Sequence, residues 1–190
     1  MNITESLKQR RSYYHINKTL PVSEEKIIEQ VKEITELVPD AYNMKSSIIV
    51  VALNEQHDQL WDMIYEAFNG KISREKIDSF KAGAGTILYF YNQQVIETMQ
   101  QQFPLYADNF PVWANQASGM LQLSLWSGLR ELGIGASLQH YNPIIDEQVH
   151  ELFALPKQYK LIAQMPFGGI GTEAVAKPKE DINQRVLIRR

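Results

Sequence analysis

The chain has 190 residues, and 44% of them are hydrophobic, which is enough to bury the core of one compact domain. A formal net charge of −3 excludes a broad nucleic-acid-binding face, and the absence of cysteine excludes disulfides, thiolate metal sites and cysteine catalysis. No segment reads as membrane-spanning and the first eight residues lack a secretion signal, so we expect a single cytoplasmic domain over residues 1–190.

The hydrophobic periodicity alternates between helix-like and strand-like segments in the first half of the chain. Residues 3–11 predict a short amphipathic helix, and Ser23 is a suitable N-cap for a second helix that Pro39 ends. Evenly apolar runs at residues 48–53 and 86–91 predict inner strands that are covered on both faces. Apolar spacing around residues 60–68 and 95–99 predicts two further helices.

The second half of the chain begins with a long helix and ends in a charged tail. The helix is predicted from about Pro111 to Leu132, with Gly133 as its C-terminal cap, and it is apolar on two sides. A helix restarts after Asn142-Pro143, and residues 161–165 predict a third strand. Val186-Leu187-Ile188 predict a last short strand that needs a sheet to join, and a partner chain would supply that sheet.

Most sequence signatures of catalysis or metal binding are missing. The chain contains no Gly-x-Ser-x-Gly elbow, Walker loop or His-Glu-x-x-His helix. Gly83-Ala84-Gly85 begins like a dinucleotide-binding loop, but it leads into a strand and lacks the third glycine. The four histidines show no ligand spacing, so we expect no metal site and place most of them at the surface.

Two basic segments remain as candidate phosphate ligands. Arg10-Arg11-Ser12 combines planar guanidinium donors, which match phosphate geometry, with a hydroxyl group. Lys177-Pro178-Lys179 brings two more cations near the end of the chain. The arginine triplet by itself also has a simpler interpretation, because cations at the C-terminal end of a helix are favourable without any ligand.

The order of four segments resembles the FMN-dependent nitroreductase family over essentially the whole chain: Arg10-Arg11-Ser12, Val38-Pro39-Asp40-Ala41-Tyr42-Asn43, Leu132-Gly133-Ile134-Gly135-Ala136 and Lys177-Pro178-Lys179. Residues 103–113, 136–143 and 161–168 resemble the short branch typified by the yeast fatty-acid-repression-mutant proteins and their bacterial relatives. The resemblance implies an α+β fold, built as a three-layer α/β/α sandwich with a mixed central sheet. It also implies a twofold homodimer with an exchanged C-terminal strand and FMN at the interface.

Carried over by motif position, the resemblance implies an FMN site to which both subunits contribute. Arg10, Arg11 and Ser12 would bind the phosphate and ribityl end, and Lys177 and Lys179 would close on the phosphate. The turn that would reach into the site of the other subunit consists of Ala41, Tyr42 and Asn43. The segment that would pass the flavin ring, with a main-chain amide toward N5, consists of Leu138, Gln139, His140 and Tyr141. Lys81 is a weaker candidate near the flavin pyrimidine, and an exposed lysine before a strand is an equal alternative.

The implied reaction is the reduction of nitroaromatics or quinones by NADH or NADPH, in a ping-pong cycle with hydride transfer through flavin N5. No side chain is then needed as a catalytic group, and His140 has at most a minor role in orienting the acceptor or donating a proton. Four aromatic residues would wall the acceptor pocket or pack in the core and the dimer: Phe103, Tyr106, Phe110 and Trp113. Two alternatives stay open, namely a flavin-binding redox-sensing or regulatory protein with incidental turnover, and a cofactor-free binding module.

Overall fold

The computed structural model describes residues 2–190, in which seven α-helices surround a five-stranded sheet. The helices are α1 (Ile3–Gln9), α2 (Glu24–Leu37), α3 (Asn54–Ala67), α4 (Arg74–Lys81), α5 (Gln93–Gln102), α6 (Phe110–Glu131) and α7 (Asp146–Leu152). The strands are β1 (Ile16–Asn17), β2 (Ser47–Leu53), β3 (Gly85–Asn92), β4 (Ile134–Ala136) and β5 (Tyr159–Ile170). Short 3-10 helices lie at Ala41–Asn43, Pro104–Asn109 and Ile182–Gln184.

Local sequence signals explain where several helices begin and end. The side chains of Asn2, Ser23 and Ser73 accept hydrogen bonds from main-chain amides in the first turns of α1, α2 and α4. Gly133 has a φ of +80° directly after the end of α6, which is the conformation of a helix-ending glycine. The predicted helices and the strands at residues 48–53, 86–91 and 161–165 are confirmed with shifts at their ends, whereas α4, β1 and β4 were not predicted. The expectation of an inner strand is correct for β3 but wrong for β2, which is an edge strand and is half-buried except at Ala52.

The sheet is organised around β5. Its strand order is β1-β5-β3-β2, and β4 also pairs with β5, where Gly169 has partners in both β1 and β4. These pairings are antiparallel, and the parallel component is one isolated bridge between Ser12 and Ala136. In the part of the chain that the structure describes, no strand pairs with the outer edge of β2.

Helices cover both faces of the sheet, so the predicted three-layer α+β sandwich is confirmed. Ile87 and Tyr89 of β3 pack into a cluster with the apolar residues of α2 and α6. Leu88 and Phe90 of the same strand point to the opposite face and pack with α3, α4 and α7. This alternation explains why residues 87–90 of the strand form an uninterrupted apolar run, since side chains on both of its faces are buried.

A buried polar cluster links α3 to β3, and it contains His57, the exception to the expectation that most histidines lie at the surface. His57 is fully buried, with its Nδ1 2.9 Å from Thr86 Oγ1 and its Nε2 3.2 Å from the main-chain oxygen of Lys81. Trp61 Nε1 donates a hydrogen bond to the same Thr86 oxygen at 2.9 Å. Burial lowers the pKa of His57 to about 4, so the ring is neutral at pH 7. The polar cluster therefore ties the helix to the sheet without a buried charge.

The C-terminal tail contains no strand in this chain. Residues 171–190 hold a single 3-10 helix, and the side chains of Val186, Leu187 and Ile188 are 55–69% exposed. The exchanged C-terminal strand therefore stays a prediction. Within residues 2–190, no helix has the length and apolarity to cross a membrane, and no group of three or more His, Asp or Glu side chains is arranged to hold a metal ion.

Candidate cofactor-binding site

The two predicted basic segments meet at one cavity. Residues 10–15 and 172–178 line a cavity of about 560 Å³, and ligand sites commonly measure about 300–1,000 Å³. Arg10, Arg11, Ser12 and Lys177 belong to this lining, whereas Lys179 lies beyond it in the exposed tail. The fold brings the segments together because Ser12 bridges to β4 and the tail leaves the end of β5, which pairs with β4.

Arg10 is a partly buried cation whose guanidinium is not fully hydrogen-bonded within the described residues. Its guanidinium carbon lies 4.2 Å from the centre of the Trp126 ring, and its Nε is buried. Among the described residues this Nε has no hydrogen-bond partner, and no carboxylate forms an ion pair with Arg10. Burial and, to a lesser extent, the charge of Arg11 lower the pKa of Arg10, although an arginine remains charged at neutral pH.

The tail forms one wall of the cavity, and hydrogen bonds from residues 10–15 on the other wall hold it there. Arg11 Nη2 donates to the main-chain oxygen of Val175 at 2.5 Å, and the Tyr13 hydroxyl donates to Glu173 at 3.4 Å. The lining thus contains the basic residues Arg10, Arg11 and Lys177, whereas Glu173 is the one carboxylate among its described residues. This excess of positive charge favours an anionic ligand.

The glycine-containing stretch before residue 137 lies directly beside the basic segment. The main-chain oxygen of Ala136 accepts hydrogen bonds from Tyr13 N at 2.9 Å and from Trp126 Nε1 at 3.1 Å. A Cβ atom added at Gly135 would come within 3.0 Å of Tyr13 Cβ, so the missing side chain permits this close approach. One carbonyl group therefore fixes both the basic segment and the ring on which Arg10 lies.

The segment that is predicted to pass the flavin ring, residues 138–141, begins two positions after the end of β4. Gln139 forms an isolated bridge with Gln164 of β5, and His140 is exposed beside it. The side chain of Tyr141 instead packs into the core, where its ring centroid lies 5.8 Å from that of Trp61. Burial raises the pKa of Tyr141 to about 12. The ring of Tyr141 is therefore not available to a ligand, and the flavin contacts of Leu138, Gln139, His140 and Tyr141 stay predictions.

The turn formed by Ala41, Tyr42 and Asn43 lies at a different place in the chain. Asn43 lines a second cavity of about 550 Å³, whose other walls come from α2, β2 and α6. Tyr42 and Asn43 have φ values of +54° and +50°, in the left-handed region that side chains seldom adopt. A single chain does not bring this turn to the cavity of Arg10, so their predicted meeting requires a second copy and stays a prediction.

Tyr42 also forms the centre of a cluster of aromatic rings, the Tyr42 cluster. Its ring centroid lies 4.8–6.3 Å from those of four neighbours: Phe103, Tyr106, Phe110 and Trp113. Phe110 is fully buried, whereas Tyr42, Phe103 and Tyr106 are 37–49% exposed. Phe110 therefore belongs to the core, as one of the two sequence-based alternatives expects, and the exposed rings are free to face another molecule.

Lys81 is part of a salt bridge rather than a free cation. Its Nζ lies 2.5 Å from Asp62 Oδ2, and Arg74 Nη2 lies 2.9 Å from the other oxygen of the same carboxylate. The hydrogen bond from Lys81 is the main reason why the pKa of Asp62 is lowered. A flavin contact of Lys81 stays a prediction, and it would compete with this ion pair.

Sequence reasoning missed three residues at or near the cavity. The ring of Trp126 packs against the guanidinium of Arg10, and Glu173 is the one carboxylate among the described residues of the lining. The guanidinium of Arg130 lies 5.8 Å from the centre of the Tyr13 ring, and its buried Nε has no partner in residues 2–190. Trp126 and Arg130 are four residues apart on α6, a spacing that puts them on one side of the helix. Nothing in the sequence shows that this side faces residues 10–13.

Comparison with known proteins decides the family. The model of the nitroreductase family matches residues 7–169, which is most of the chain. The chain belongs to the nitroreductase family. Membership makes it a nitroreductase-type oxidoreductase, and it confirms the resemblance on which the expected fold rested.

Individual relatives of this nitroreductase come from yeast and bacteria. Nitroreductase FRM2 of Saccharomyces cerevisiae is 27% identical over 170 residues, which are 88% of this chain and 87% of that protein. The structure of nitroreductase CinD from Lactococcus lactis in complex with chloramphenicol is 39% identical, covers 100% of both chains and has a TM-score of 0.95. A CinD complex with 4-nitrophenol has a TM-score of 0.92 at 39% identity and the same coverage. An FMN complex from Exiguobacterium sibiricum, 15% identical, shares the fold over 100% of this chain and 98% of its own, with a TM-score of 0.76.

Proposed function

We propose that this nitroreductase binds FMN and is an NAD(P)H-dependent reductase of nitroaromatics or quinones. The observation that carries the proposal is the cavity at which Arg10, Arg11, Ser12 and Lys177 meet, because its arginines have no carboxylate partner among the described residues. Membership of the nitroreductase family supports the oxidoreductase class, and a protein of the same fold has been solved with FMN.

The residues of the cavity fit the phosphate end of FMN. A phosphate monoester carries about −1.5 to −2 charges near pH 7 and offers three strong acceptor oxygens. The buried Nε of Arg10 lacks an acceptor among residues 2–190, and buried polar groups are normally paired. An anion in the cavity would also offset the repulsion between Arg10 and Arg11, which adds to burial in lowering the pKa of Arg10.

FMN, when bound, supplies the redox chemistry, by accepting hydride from NADH or NADPH and passing reducing equivalents to an acceptor. The chain's own residues bind and orient. Arg10, Arg11, Ser12 and Lys177 would hold the phosphate and ribityl end, and the contact from Arg11 to Val175 keeps the tail against the cavity. Lys179, which lies outside the cavity in this chain, would close on the phosphate from the tail. We assign no catalytic side chain, and the exposed His140 would affect which acceptor binds.

Flat, electron-poor aromatic rings are the acceptors that we propose. The CinD structures contain chloramphenicol and 4-nitrophenol, which both carry a nitrophenyl group. The exposed rings of the Tyr42 cluster provide a surface on which such a ring can pack with offset or edge-to-face geometry. In this proposal the cluster of one subunit forms a wall of the pocket of the other.

We also propose a homodimer with an exchanged C-terminal strand. The apolar residues Val112, Met120 and Leu123 of α6 are 43–52% exposed, although the opposite side of this helix is buried. The outer edge of β2 has no partner strand in the described chain, and unpaired edges of this kind readily accept another strand. Residues 186–188 of a second copy would pair with this edge. The dimer would then bury both the apolar side chains of the tail and the exposed apolar residues of α6.

The visible spectrum of the freshly purified protein, followed by anaerobic addition of NADH and of NADPH, tests the proposal. We expect a flavin spectrum, bleaching by at least one nicotinamide, and recovery of the absorbance after addition of a nitroaromatic or a quinone. A protein that neither contains nor takes up FMN would contradict the flavin site. Bound flavin that neither nicotinamide reduces would contradict the reductase and favour a redox-sensing flavoprotein.

A further inference from the structure

Gln164 is a fully buried polar residue in the middle of β5, beneath the segment that follows β4. Its main chain exchanges two hydrogen bonds with Gln139, at 2.7 Å and 2.9 Å. Its side-chain Oε1 accepts a further hydrogen bond from Tyr141 N at 2.8 Å, and its Nε2 lies 3.5 Å from Asn142 Oδ1. Gln164 thus contacts three residues of this stretch, Gln139, Tyr141 and Asn142, and the proposed function as described above does not account for its side-chain bond to Tyr141.

The hydrogen bonds of this segment follow the alternation of an extended chain. The amides of Ser137, Gln139 and Tyr141 all bond to β5, through Pro166 O at 3.2 Å and the two oxygens of Gln164. In an extended edge segment, alternate amides face the neighbouring strand and the remaining amides face away. In agreement with this pattern, the amides of Leu138 and His140 have no hydrogen-bond partner in the part of the chain that the structure describes.

We propose that Gln164 is a positioning residue for the flavin, because its carboxamide replaces the main-chain acceptor that the sheet no longer offers to Tyr141. The main-chain hydrogen bonds to β5 end at Gln139, and the side chain of Gln164 continues the same alternation by accepting one more amide, that of Tyr141. His140 lies between the two anchored residues, so its amide is held facing away from the sheet. This inference rests on the proposed function and on the sequence-based expectation that a main-chain amide of residues 138–141 faces flavin N5.

A glutamine suits this task for a chemical reason. The carboxamide accepts the Tyr141 amide with its oxygen and keeps a donor for Asn142, and it does so without the cost of burying a charge. A methionine at position 164 would keep similar length and volume but would leave the Tyr141 amide without an acceptor. A glutamate would restore an oxygen acceptor and remove the donor.

The test compares Gln164→Met and Gln164→Glu with a matched control, Gln122→Met. Gln122 is also a buried glutamine, but its carboxamide bonds to Ser118 within α6. Hydrogen exchange of the Tyr141 amide is measured by NMR on protein without FMN, and the FMN dissociation constant and the midpoint potential of bound FMN are measured separately. In Gln164→Met we expect exchange at least ten times faster at Tyr141, a several-fold higher dissociation constant and a shifted potential. Gln164→Glu should recover part of the protection, and Gln122→Met should leave exchange at Tyr141 and the potential unchanged.

The results distinguish a failure of the positioning role of Gln164 from a failure of the proposed function. If Gln164→Met keeps wild-type exchange at Tyr141, or if its bound flavin keeps the wild-type potential, the positioning role is overturned even though wild-type protein binds FMN. If Gln164→Met does not fold, Gln164→Glu decides, because a potential identical to wild type despite faster exchange at Tyr141 also overturns the role. If the wild-type protein takes up no FMN, the proposed function fails, and the exchange data then show only whether Gln164 anchors the segment.

Discussion

Replacement of Arg10 by alanine should weaken FMN binding strongly and change the stability of the unliganded chain only slightly. A hydrogen bond to a charged group contributes about 1.5–3 kcal/mol, so its loss corresponds to a dissociation constant about 10 to 150 times higher. We expect a clear effect because the buried Nε of Arg10 has no partner within the described chain that would compete with a phosphate. The cost to folding is smaller, since a partly exposed contact with the Trp126 ring contributes about 0.5–1 kcal/mol and the change removes repulsion with Arg11.

Titration of apoprotein with FMN, followed by flavin fluorescence, measures the dissociation constant, and thermal unfolding with and without FMN measures stability. Arg74→Ala is the matched control, because Arg74 also lies over an aromatic ring, 4.9 Å from the centre of Tyr65, but outside the cavity. Arg10→Lys keeps the charge without the planar pair of donors and should give an intermediate affinity. An unchanged FMN affinity in Arg10→Ala would remove Arg10 from the site and refute the argument from its unsatisfied Nε.

Three further predictions concern pH, the tail and turnover. The free energy of unfolding should fall by about 3 kcal/mol as the pH drops from above 6.5 to below 4, because unfolded His57 binds a proton that the buried ring, with its pKa lowered to about 4, does not. Denaturant titrations across this range should show a weaker pH dependence for His57→Asn, and equal dependence in both proteins would count against the mechanism. Deletion of residues 180–190 should lower dimer stability and FMN retention, as measured by sedimentation and flavin release, and a flavin-loaded dimer of unchanged stability would argue against the exchanged strand. His140→Ala should alter the relative kcat/KM of different acceptors more than nicotinamide oxidation, because the side chain is exposed. Stopped-flow kinetics of both half-reactions test this expectation, and a larger effect on nicotinamide oxidation than on acceptor preference would contradict it.

The elements that could be predicted are those with a local pattern. The uninterrupted apolar run of β3 indicates burial on both faces, and a proline near the start and a glycine after the end of α6 mark its limits. In contrast, β1 and β4 have two and three residues, which is too short for any periodicity, and they exist as strands because β5 pairs with them. The eight-residue α4 was missed because only Ile77 and Phe80 are buried in it.

The burial of individual polar and aromatic side chains could not be predicted either. His57 lies in a polar, helical context that is typical of a surface residue, yet Thr86 and the main chain of Lys81 satisfy both of its ring nitrogens inside the core. Tyr141 was grouped with the flavin segment, although its ring belongs to the cluster around Trp61. A pattern along the chain reports average burial, whereas hydrogen-bond partners come from segments that are distant in sequence.

By itself, the sequence determined the family and the residue types of the candidate site, because the chemistry that suits a phosphate is a property of guanidinium, ammonium and hydroxyl groups and of their order along the chain. Only the tertiary structure decided that Arg11 meets Val175 across 164 positions, that Arg10 lies on Trp126, and that Gln164 supports the segment beside β4. The physical reason is that desolvation and hydrogen-bond geometry depend on contacts between remote segments. Such contacts form only when β1, β3 and β4 have paired with β5 and the tail lies against Arg10 and Arg11.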